Sequence, residues 1–243
     1  MAALTINKVV SAARETFKTI LSDKTVLMEH LQKLKICCNE IKASDLNITA
    51  GVTQELFSSS SRPADRKPPV SYMHLYEDEG VSMGVFFLRG GSRIPLHNHP
   101  NMYGLCKVLY GTINVQSFSP IVKDNNLDIP EFNEFQQQEG RPTTPRELLT
   151  PTKHYVTDNV TSDSDVCLLL PDVGNCHELK AVDGPAAFVD ILAPPYAPDE
   201  GRDCMYYKLL TAKKGGDIKW LLEIPPPAEF WTDEIPYTGP EIK

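Results

Sequence analysis

A succession of short apolar segments between residues 71 and 224 constrains the fold of this sequence more than any other feature. The segments are rich in Val, Ile, Phe and Tyr and are bounded by Gly, Pro, Asn and Asp, a pattern typical of strands in a β-sandwich or barrel. In chain order they are SYMHLYE, VSMGVFFL, GLCKVLY, TINVQSF, VCLLL, HELKAV, AAFVDIL, MYYKLL and IKWLLEI. A chain of 243 residues is within the range of one all-β domain. We therefore predict a single, mainly β domain spanning residues 1–243, with a barrel over residues 66–224.

Residues 4–42 differ from the rest because their apolar residues recur at helical spacing. We predict two helices with a break near Ser22 and Asp23, either of which could cap the second helix. Each helix has one apolar face, so we expect both to pack on the body of the protein rather than to form a coiled coil with a partner. The apolar faces contain Ile6, Val9, Ala13, Phe17 and Ile20, then Leu27, Leu31, Leu34, Cys38 and Ile41.

Three other segments are predicted to be irregular. Residues 57–69 have the composition of a turn and loop. Residues 119–150 are polar and contain prolines, which predicts an excursion at one end of the barrel; a functional loop and a variable insert both remain open. The proline-rich residues 225–243 are expected to lie extended along the surface.

The charge of the chain disfavours two classes of partner. The net charge is −8 and no basic block occurs, so neither nucleic acid nor an anionic membrane surface is an expected partner. No apolar run is long enough for a membrane helix. No apolar stripe is left over for a stable interface, and we therefore expect a monomer.

The compartment is predicted to be the cytosol, with the nucleus also open. The first residues lack the apolar core of a signal peptide, and Glu15 and Asp23 disfavour a mitochondrial transit peptide. Six irregularly spaced cysteines without a CxxC pattern are expected to be mostly free thiols in a reducing compartment. Cys106 and Cys176 flank the segments that contain His99 and His177, and we expect Cys176 to be a packing residue because it points away from His177.

The segment IPLHNHP contains the strongest signal for chemistry. Residues i and i+2 of a strand face the same way, so His97 and His99 would project together and could be neighbouring ligands of iron, zinc, copper or nickel. Two structural histidines would be the alternative. The spacing Gly91-x5-His97-x-His99, with a further glycine at position 111, closely resembles the first motif of the cupin family of double-stranded β-helix (jelly-roll) barrels. The resemblance implies that fold, with the helices packed on the barrel.

The rest of the predicted metal site follows from the same family pattern. Cupins usually carry a glutamate ligand five residues after the second histidine, but Gly104 stands there in this chain. The second cupin motif ends in Gly-x-x-His, and Gly174-x-x-His177 fits it. His30, His74 and His154 lack such a context. We therefore predict three neutral ligands, His97, His99 and His177.

A three-histidine metal leaves positions open for other ligands and keeps its full positive charge, which favours an anionic donor such as a thiolate. Bringing a thiolate and O2 together there would give the sulfinate, which contains both oxygen atoms. Two other hypotheses stay open: a non-catalytic metal-binding cupin that serves as a sensor or storage protein, and a zinc cupin isomerase or hydrolase.

Four segments, PLHNHP, LYGTINVQSF, VGNCHEL and VDILAPPY, make the resemblance more specific. They resemble the family of 2-aminoethanethiol (cysteamine) dioxygenases and plant cysteine oxidases, over nearly the whole chain. The resemblance implies an Fe(II) enzyme that uses O2 to oxidise cysteamine, or the N-terminal cysteine of a protein or peptide, to the sulfinic acid. With protein substrates it implies oxygen sensing through the N-degron pathway.

Four further site residues are predicted. Asp190 lies in an apolar strand on the face of Phe188 and Leu192, which is unusual for a carboxylate; it could accept a hydrogen bond from a substrate amine or orient a ligand, or be an ordinary salt-bridged residue. The resemblance implies that Tyr196 lies by the metal pocket, against the alternative of loop packing. It also implies that Cys204 and Tyr206, two apart on a predicted strand, can join through a thioether. A free cysteine beside a core tyrosine is the alternative.

Overall fold

The computed structural model describes residues 2–18, 24–49, 57, 67–123, 127–132, 146–214 and 216–243. Two α-helices, α1 and α2, span Ala2–Lys18 and Lys24–Asn39, and short 3-10 helices span Ala43–Leu46, Arg146–Leu148 and Pro198–Glu200. Ten strands follow in the described residues, numbered β1 to β10 in chain order. They are Val70–Glu77, Ser82–Leu88, Arg93–His97, Tyr103–Pro120, Leu149–Val160, Cys167–Leu169, Cys176–Ala193, Tyr206–Leu210, Ile218–Ile224 and Thr232–Glu234.

The strands form a closed antiparallel barrel, which confirms the predicted mainly β fold. Hydrogen-bonded neighbours run β7–β3–β8–β9–β5–β4, and β4 pairs with β7 to close a ring of six among the described strands. β2, β1 and β10 extend the sheet from β7, and β6 lies on β4. β4 and β7 therefore belong both to the ring and to its extension.

The predicted segments merge in two places. GLCKVLY and TINVQSF both belong to β4, and HELKAV and AAFVDIL both belong to β7. The long ribbon formed by β4 and β7 has an irregular register around Gly111, whose φ is +74°. A Cβ atom at Gly111 would overlap the Pro185 carbonyl oxygen on the facing strand, so the close approach of the two backbones needs glycine.

The barrel core combines both halves of this ribbon. Val108 and its partner Phe188 lie on one side of the irregularity, and Val115 and its partner Leu179 lie on the other. All four pack in one cluster. The ribbon thus folds over itself and encloses the core. Because side chains alternate along a strand, the two halves present one face to this interior.

The helices pack on the opposite face of the extended sheet, as predicted. The residues of both apolar faces that the structure describes are buried, and they share a cluster with Val85 of β2 and with Val189 and Ile191 of β7. Ile20 and the predicted caps Ser22 and Asp23 lie outside the described residues. No helix within the described ranges is long and apolar enough to cross a membrane.

Two segments differ from the prediction. β5, Leu149–Val160, pairs with β4 and β9 but was not among the predicted strands, because most of its side chains are exposed and polar. The tail, predicted to lie extended along the surface, contains β10, which pairs in parallel with β1, and its Ile235, Tyr237 and Ile242 pack against the helical cluster.

Two predicted loops lie partly outside the described residues. Of residues 119–150, the structure describes 119–123, 127–132 and 146–150. Within them Phe132 is buried and forms a β-bridge with Ala212. Of residues 57–69, it describes 57 and 67–69.

Candidate metal site and cleft

Three buried histidines converge at one end of the barrel. His97 is the last residue of β3, His99 follows that strand, and His177 is the second residue of β7. His97 and His177 are direct cross-strand partners. Their candidate ligand atoms, with that of His99, all lie within 4.8 Å of one another. The structure thus brings together the three residues that the sequence predicted as ligands, although His99 lies outside the strand on which the parity argument placed it.

Hydrogen bonds fix which ring nitrogen faces the cluster. His97 Nδ1 lies 2.8 Å from the Pro95 carbonyl oxygen, which can only accept, so Nδ1 carries the proton. The Tyr196 hydroxyl donates to the Asn98 carbonyl oxygen at 2.9 Å and lies 2.7 Å from His99 Nδ1. The tyrosine oxygen therefore accepts from His99 Nδ1–H. In both rings the unprotonated Nε2 is left for a metal, and such outer partners orient ligands in metalloproteins.

The distances fit a small divalent ion. His99 Nε2 and His177 Nε2 are 2.9 Å apart. Adjacent nitrogen ligands at about 2.1 Å from an ion, at right angles, are themselves about 3 Å apart. Burial lowers the pKa of His97 to about 4 and holds those of His99 and His177 well below the usual range. All three rings are therefore neutral near pH 7, as ligands must be.

The position of the usual cupin glutamate is filled by another side chain. A Cβ atom at Gly104 would lie 2.8 Å from Leu169 Cγ, and the two residues are cross-strand partners in β4 and β6. Leu169 itself is buried. Within the described residues, the possible ligand group contains only the three histidines.

Two asparagines that sequence reasoning did not single out hold the segment after β3. Asn98 Oδ1 accepts from Met205 N–H at 3.0 Å, and Asn98 Nδ2 donates to the Tyr207 hydroxyl at 3.2 Å. Asn175 Oδ1 accepts from His99 N–H at 3.1 Å, and its Nδ2 donates to the His99 carbonyl oxygen at 2.8 Å. The sequence signal that could have identified both asparagines is their position next to the histidines, in HNHP and GNCH.

Asp190 faces the same interior as the histidines. Its cross-strand partners are Gly84 and Cys106, and Cys106 lines a cleft together with His177. Burial raises the pKa of Asp190 to about 7. The carboxyl group also contributes, after burial, to raising the pKa of Tyr72 to about 12, and both residues border the same cavity.

Tyr196, Cys204 and Tyr206 form a cluster beside the histidines. The Tyr196 ring stacks on His99 with centroids 5.5 Å apart, and the Tyr206 ring lies 6.3 Å from that of His97. Cys204 forms side-chain hydrogen bonds with both tyrosines, and burial raises its pKa. Cys204 precedes β8, which begins at Tyr206, so the two residues do not share the strand on which the sequence argument placed them.

Two cavities lie beside Asp190 and its cross-strand partner Cys106. The larger, of about 580 Å³, opens between β5 and β6 and reaches Cys106, Ser117 and His177. The smaller, of about 300 Å³, is bordered by Tyr72, Asp190 and Tyr196 and by neighbouring residues of β2.

The remaining cysteines and histidines lie apart from the metal cluster. All six cysteines are free, as expected for most of them. Cys176 packs with Leu96, Phe118 and Tyr207, and Cys106 lies in the barrel core. His30, His74 and His154 do not belong to the described ligand group.

Comparisons with known proteins extend these observations. A family model described as PCO_ADO matches residues 37–242. The 2-aminoethanethiol dioxygenase of Homo sapiens is 39% identical over 227 residues, which cover 88% of this chain and 82% of that protein. Plant cysteine oxidase 2 of Arabidopsis thaliana is 27% identical over 252 residues, covering 98% and 83%.

Solved structures resemble the barrel more distantly. A double-stranded β-helix protein from Klebsiella pneumoniae is 16% identical, with a TM-score of 0.34 over 58% of this chain and 83% of that one. An oxalate oxidase in complex with glycolate is 15% identical, with a TM-score of 0.37 over 60% of each chain.

Proposed function

Since this chain belongs to the PCO_ADO family of thiol dioxygenases, we propose that it is a non-haem Fe(II) enzyme that adds both atoms of O2 to a thiol. The observation that carries the proposal is the cluster of three buried, neutral histidines without a carboxylate among them. Bound there, Fe(II) would supply coordination positions for a thiolate and O2 and would relay electrons between them. Because both oxygen atoms end on sulfur, the thiolate itself supplies the four electrons and no external donor is needed.

His97, His99 and His177 are the proposed ligands through Nε2. The Pro95 carbonyl oxygen and the Tyr196 hydroxyl hold the Nδ1–H groups of His97 and His99. These two hydrogen bonds fix the direction of the Nε2 lone pair of each ring before a metal binds. Tyr196 is therefore proposed to position His99.

Asp190 is proposed to bind the amine that lies next to the thiol in the substrate. An ammonium group would be stabilised by the buried carboxylate and would in turn favour its ionised form. Cysteamine and an N-terminal cysteine both carry a thiol and an amine on adjacent carbons. The 580 Å³ cleft that reaches His177 has room for more than cysteamine, which supports a protein or peptide N-terminus as a substrate.

Cys204 and Tyr206 are proposed to join through a thioether in the active protein. The contact between the thiol and the Tyr206 side chain supports this link. Forming the C–S bond removes one hydrogen atom from the thiol and one from the ring, a two-electron oxidation for which O2 is the oxidant.

We also propose that the protein acts in the cytosol or nucleus as an oxygen sensor for the N-degron pathway. Oxidation of N-terminal cysteines on partner proteins would connect oxygen supply to their degradation. The six free cysteines support a reducing compartment.

Mass spectrometry of thiol products tests the activity. Iron-loaded protein is mixed in air with cysteamine, with a peptide that has an N-terminal cysteine, or with 2-mercaptoethanol, which lacks the amine. We expect a gain of about 32 Da on the first two thiols, and none without O2. A preference over 2-mercaptoethanol that Asp190→Asn abolishes would support the amine contact.

Histidine variants provide the matched controls. His97→Ala, His99→Ala and His177→Ala should lose bound iron and reduce product to background, while exposed His154→Ala should keep both. An unmodified thiol despite confirmed bound iron would instead indicate a binding cupin, and activity in a metal-free variant would contradict the proposal.

A further inference from the structure

Asn175 connects two of the three histidines through its side-chain amide. The residue is 3% exposed and lies two positions before His177. Its Oδ1 and Nδ2 engage the N–H and carbonyl groups of His99 at 3.1 and 2.8 Å, which closes a ring on the main chain of that residue. Nδ2 also donates to the Leu170 carbonyl oxygen at 3.1 Å, so both of its N–H groups are used.

The main chain of His99 needs such a partner because β3 ends at His97. Beyond a strand end, the backbone N–H and carbonyl groups lose their ladder partners, and buried polar groups must be satisfied in another way. The Asn175 amide imitates the pairing of a neighbouring strand at this point. It leaves His99 joined directly to the start of β7, the strand that carries His177.

We propose that Asn175 is a positioning residue of the metal centre, whose carboxamide fixes the main chain of His99 relative to β7 and so sets the separation of the His99 and His177 Nε2 atoms. That separation is 2.9 Å. The inference rests on the proposed three-histidine metal site, but not on thiol oxidation.

Only a carboxamide of this length matches all three contacts. An aspartate keeps the shape and the acceptor, but it would turn a carboxylate oxygen toward the carbonyl oxygens of His99 and Leu170. An alanine removes donor and acceptor together. In the alanine variant, the position of His99 would depend only on its ring contacts and on Met102 N–H, which donates to the His99 carbonyl oxygen at 3.1 Å. The aspartate variant would keep these contacts and the acceptor for His99 N–H, but it would lose the donor to the His99 carbonyl oxygen.

Binding of Co²⁺ to Asn175→Asp and Asn175→Ala tests the proposal, with metal-free wild-type protein as reference. Loss of a group that orients a ligand typically weakens metal affinity by about 10- to 100-fold, and we expect this loss in both variants. The visible absorption of bound Co²⁺ reports coordination geometry and should also change.

Thr152→Val is the matched control for a buried hydrogen bond that is lost away from the histidines. The Thr152 hydroxyl is fully buried and donates to the Lys219 carbonyl oxygen at 2.8 Å. This variant should melt at a lower temperature but keep the wild-type affinity and absorption. If the Asn175 variants also lose only stability, the residue has a purely structural role and the proposal is wrong. If wild-type protein binds no metal, the proposed function fails instead.

Hydrogen exchange of unsubstituted, metal-free protein gives a second test that does not depend on the folding of a variant. The hydrogen bond from His99 N–H to Asn175 Oδ1 predicts that the His99 amide exchanges slowly before metal is added. Exchange as fast as that of an exposed loop would overturn the proposal.

Discussion

At the scale of single residues, Asp190 makes the stability of the folded protein depend on pH. Burial raises its pKa from 3.8 to about 7, so between these values the folded protein holds a proton that the unfolded chain has released. Stability must then fall as pH rises through this interval, and level off above about pH 7.

The Asp190→Asn variant should remove this pH dependence. Relative to wild type, its free energy of unfolding should rise by roughly 2–3 kcal/mol between pH 5 and pH 8, since each pH unit below the folded-state pKa corresponds to about 1.4 kcal/mol. Urea denaturation of the metal-free proteins measures the difference. Asp158→Asn, at an exposed position, is the matched control, and a parallel pH course for Asp190→Asn and wild type would contradict the assignment.

The sequence predicts the candidate metal ligands better than the residues that position those ligands. Strand parity and motif spacing predicted His97, His99 and His177, because ligands must project toward one point. Asn98 and Asn175 were not predicted, since their contacts with Met205 and with the main chain of His99 arise only when separate segments fold together.

At the scale of secondary-structure elements, the contact between β4 and β6 shows what occupies the position of the usual cupin glutamate. Gly104 leaves the space that the Leu169 side chain fills. A methyl group at position 104 would overpack this contact. We expect Gly104→Ala to lower the free energy of unfolding by about 1–3 kcal/mol.

A double-mutant cycle tests this explanation. In a Leu169→Ala background the same Gly104→Ala change should cost less, because the obstructing side chain is gone, with a coupling of about 1–2 kcal/mol. Gly80→Ala is the control, since its Cβ atom would come no closer than 3.6 Å to Asp78. Equal effects of Gly104→Ala in both backgrounds would rule out the contact as the cause.

Element types were predictable where apolar residues alternate, but element lengths were not. β4 and β7 were each divided in two because the glycines at positions 111 and 184 resemble turns. Their backbones, at φ of +74° and +127°, instead bend a continuous ribbon. β5 was missed for the opposite reason, since a strand that projects beside an open cleft shows little hydrophobic pattern.

At the scale of the whole molecule, the C-terminal tail ties the helices to the barrel. β10 pairs with β1, and beyond it the Asn47 side chain donates to the Thr238 carbonyl oxygen. Lys243 N–H donates to Asn7 Oδ1 on α1 at 2.6 Å. Composition predicted an extended tail, but these partners in β1, at Asn47 and in α1 lie more than 150 residues away in sequence.

Deletion of residues 235–243 should therefore loosen the helices without dismantling the metal site. The deletion removes the half-buried Ile235, Tyr237 and Ile242 from the helical cluster. We expect the free energy of unfolding to fall by about 2–4 kcal/mol.

The melting temperature and hydrogen exchange measure this effect. At about 2–4 °C per kcal/mol for a chain of this length, the melting temperature should fall by roughly 4–16 °C. Hydrogen exchange should accelerate in α1 far more than in β3 and β7, because the deleted segment hydrogen-bonds directly with Asn7 on α1. Trp231→Ala, at a residue that is 40% exposed, should leave the melting temperature nearly unchanged. Uniform acceleration across helices and barrel would show that the tail stabilises the molecule as one unit.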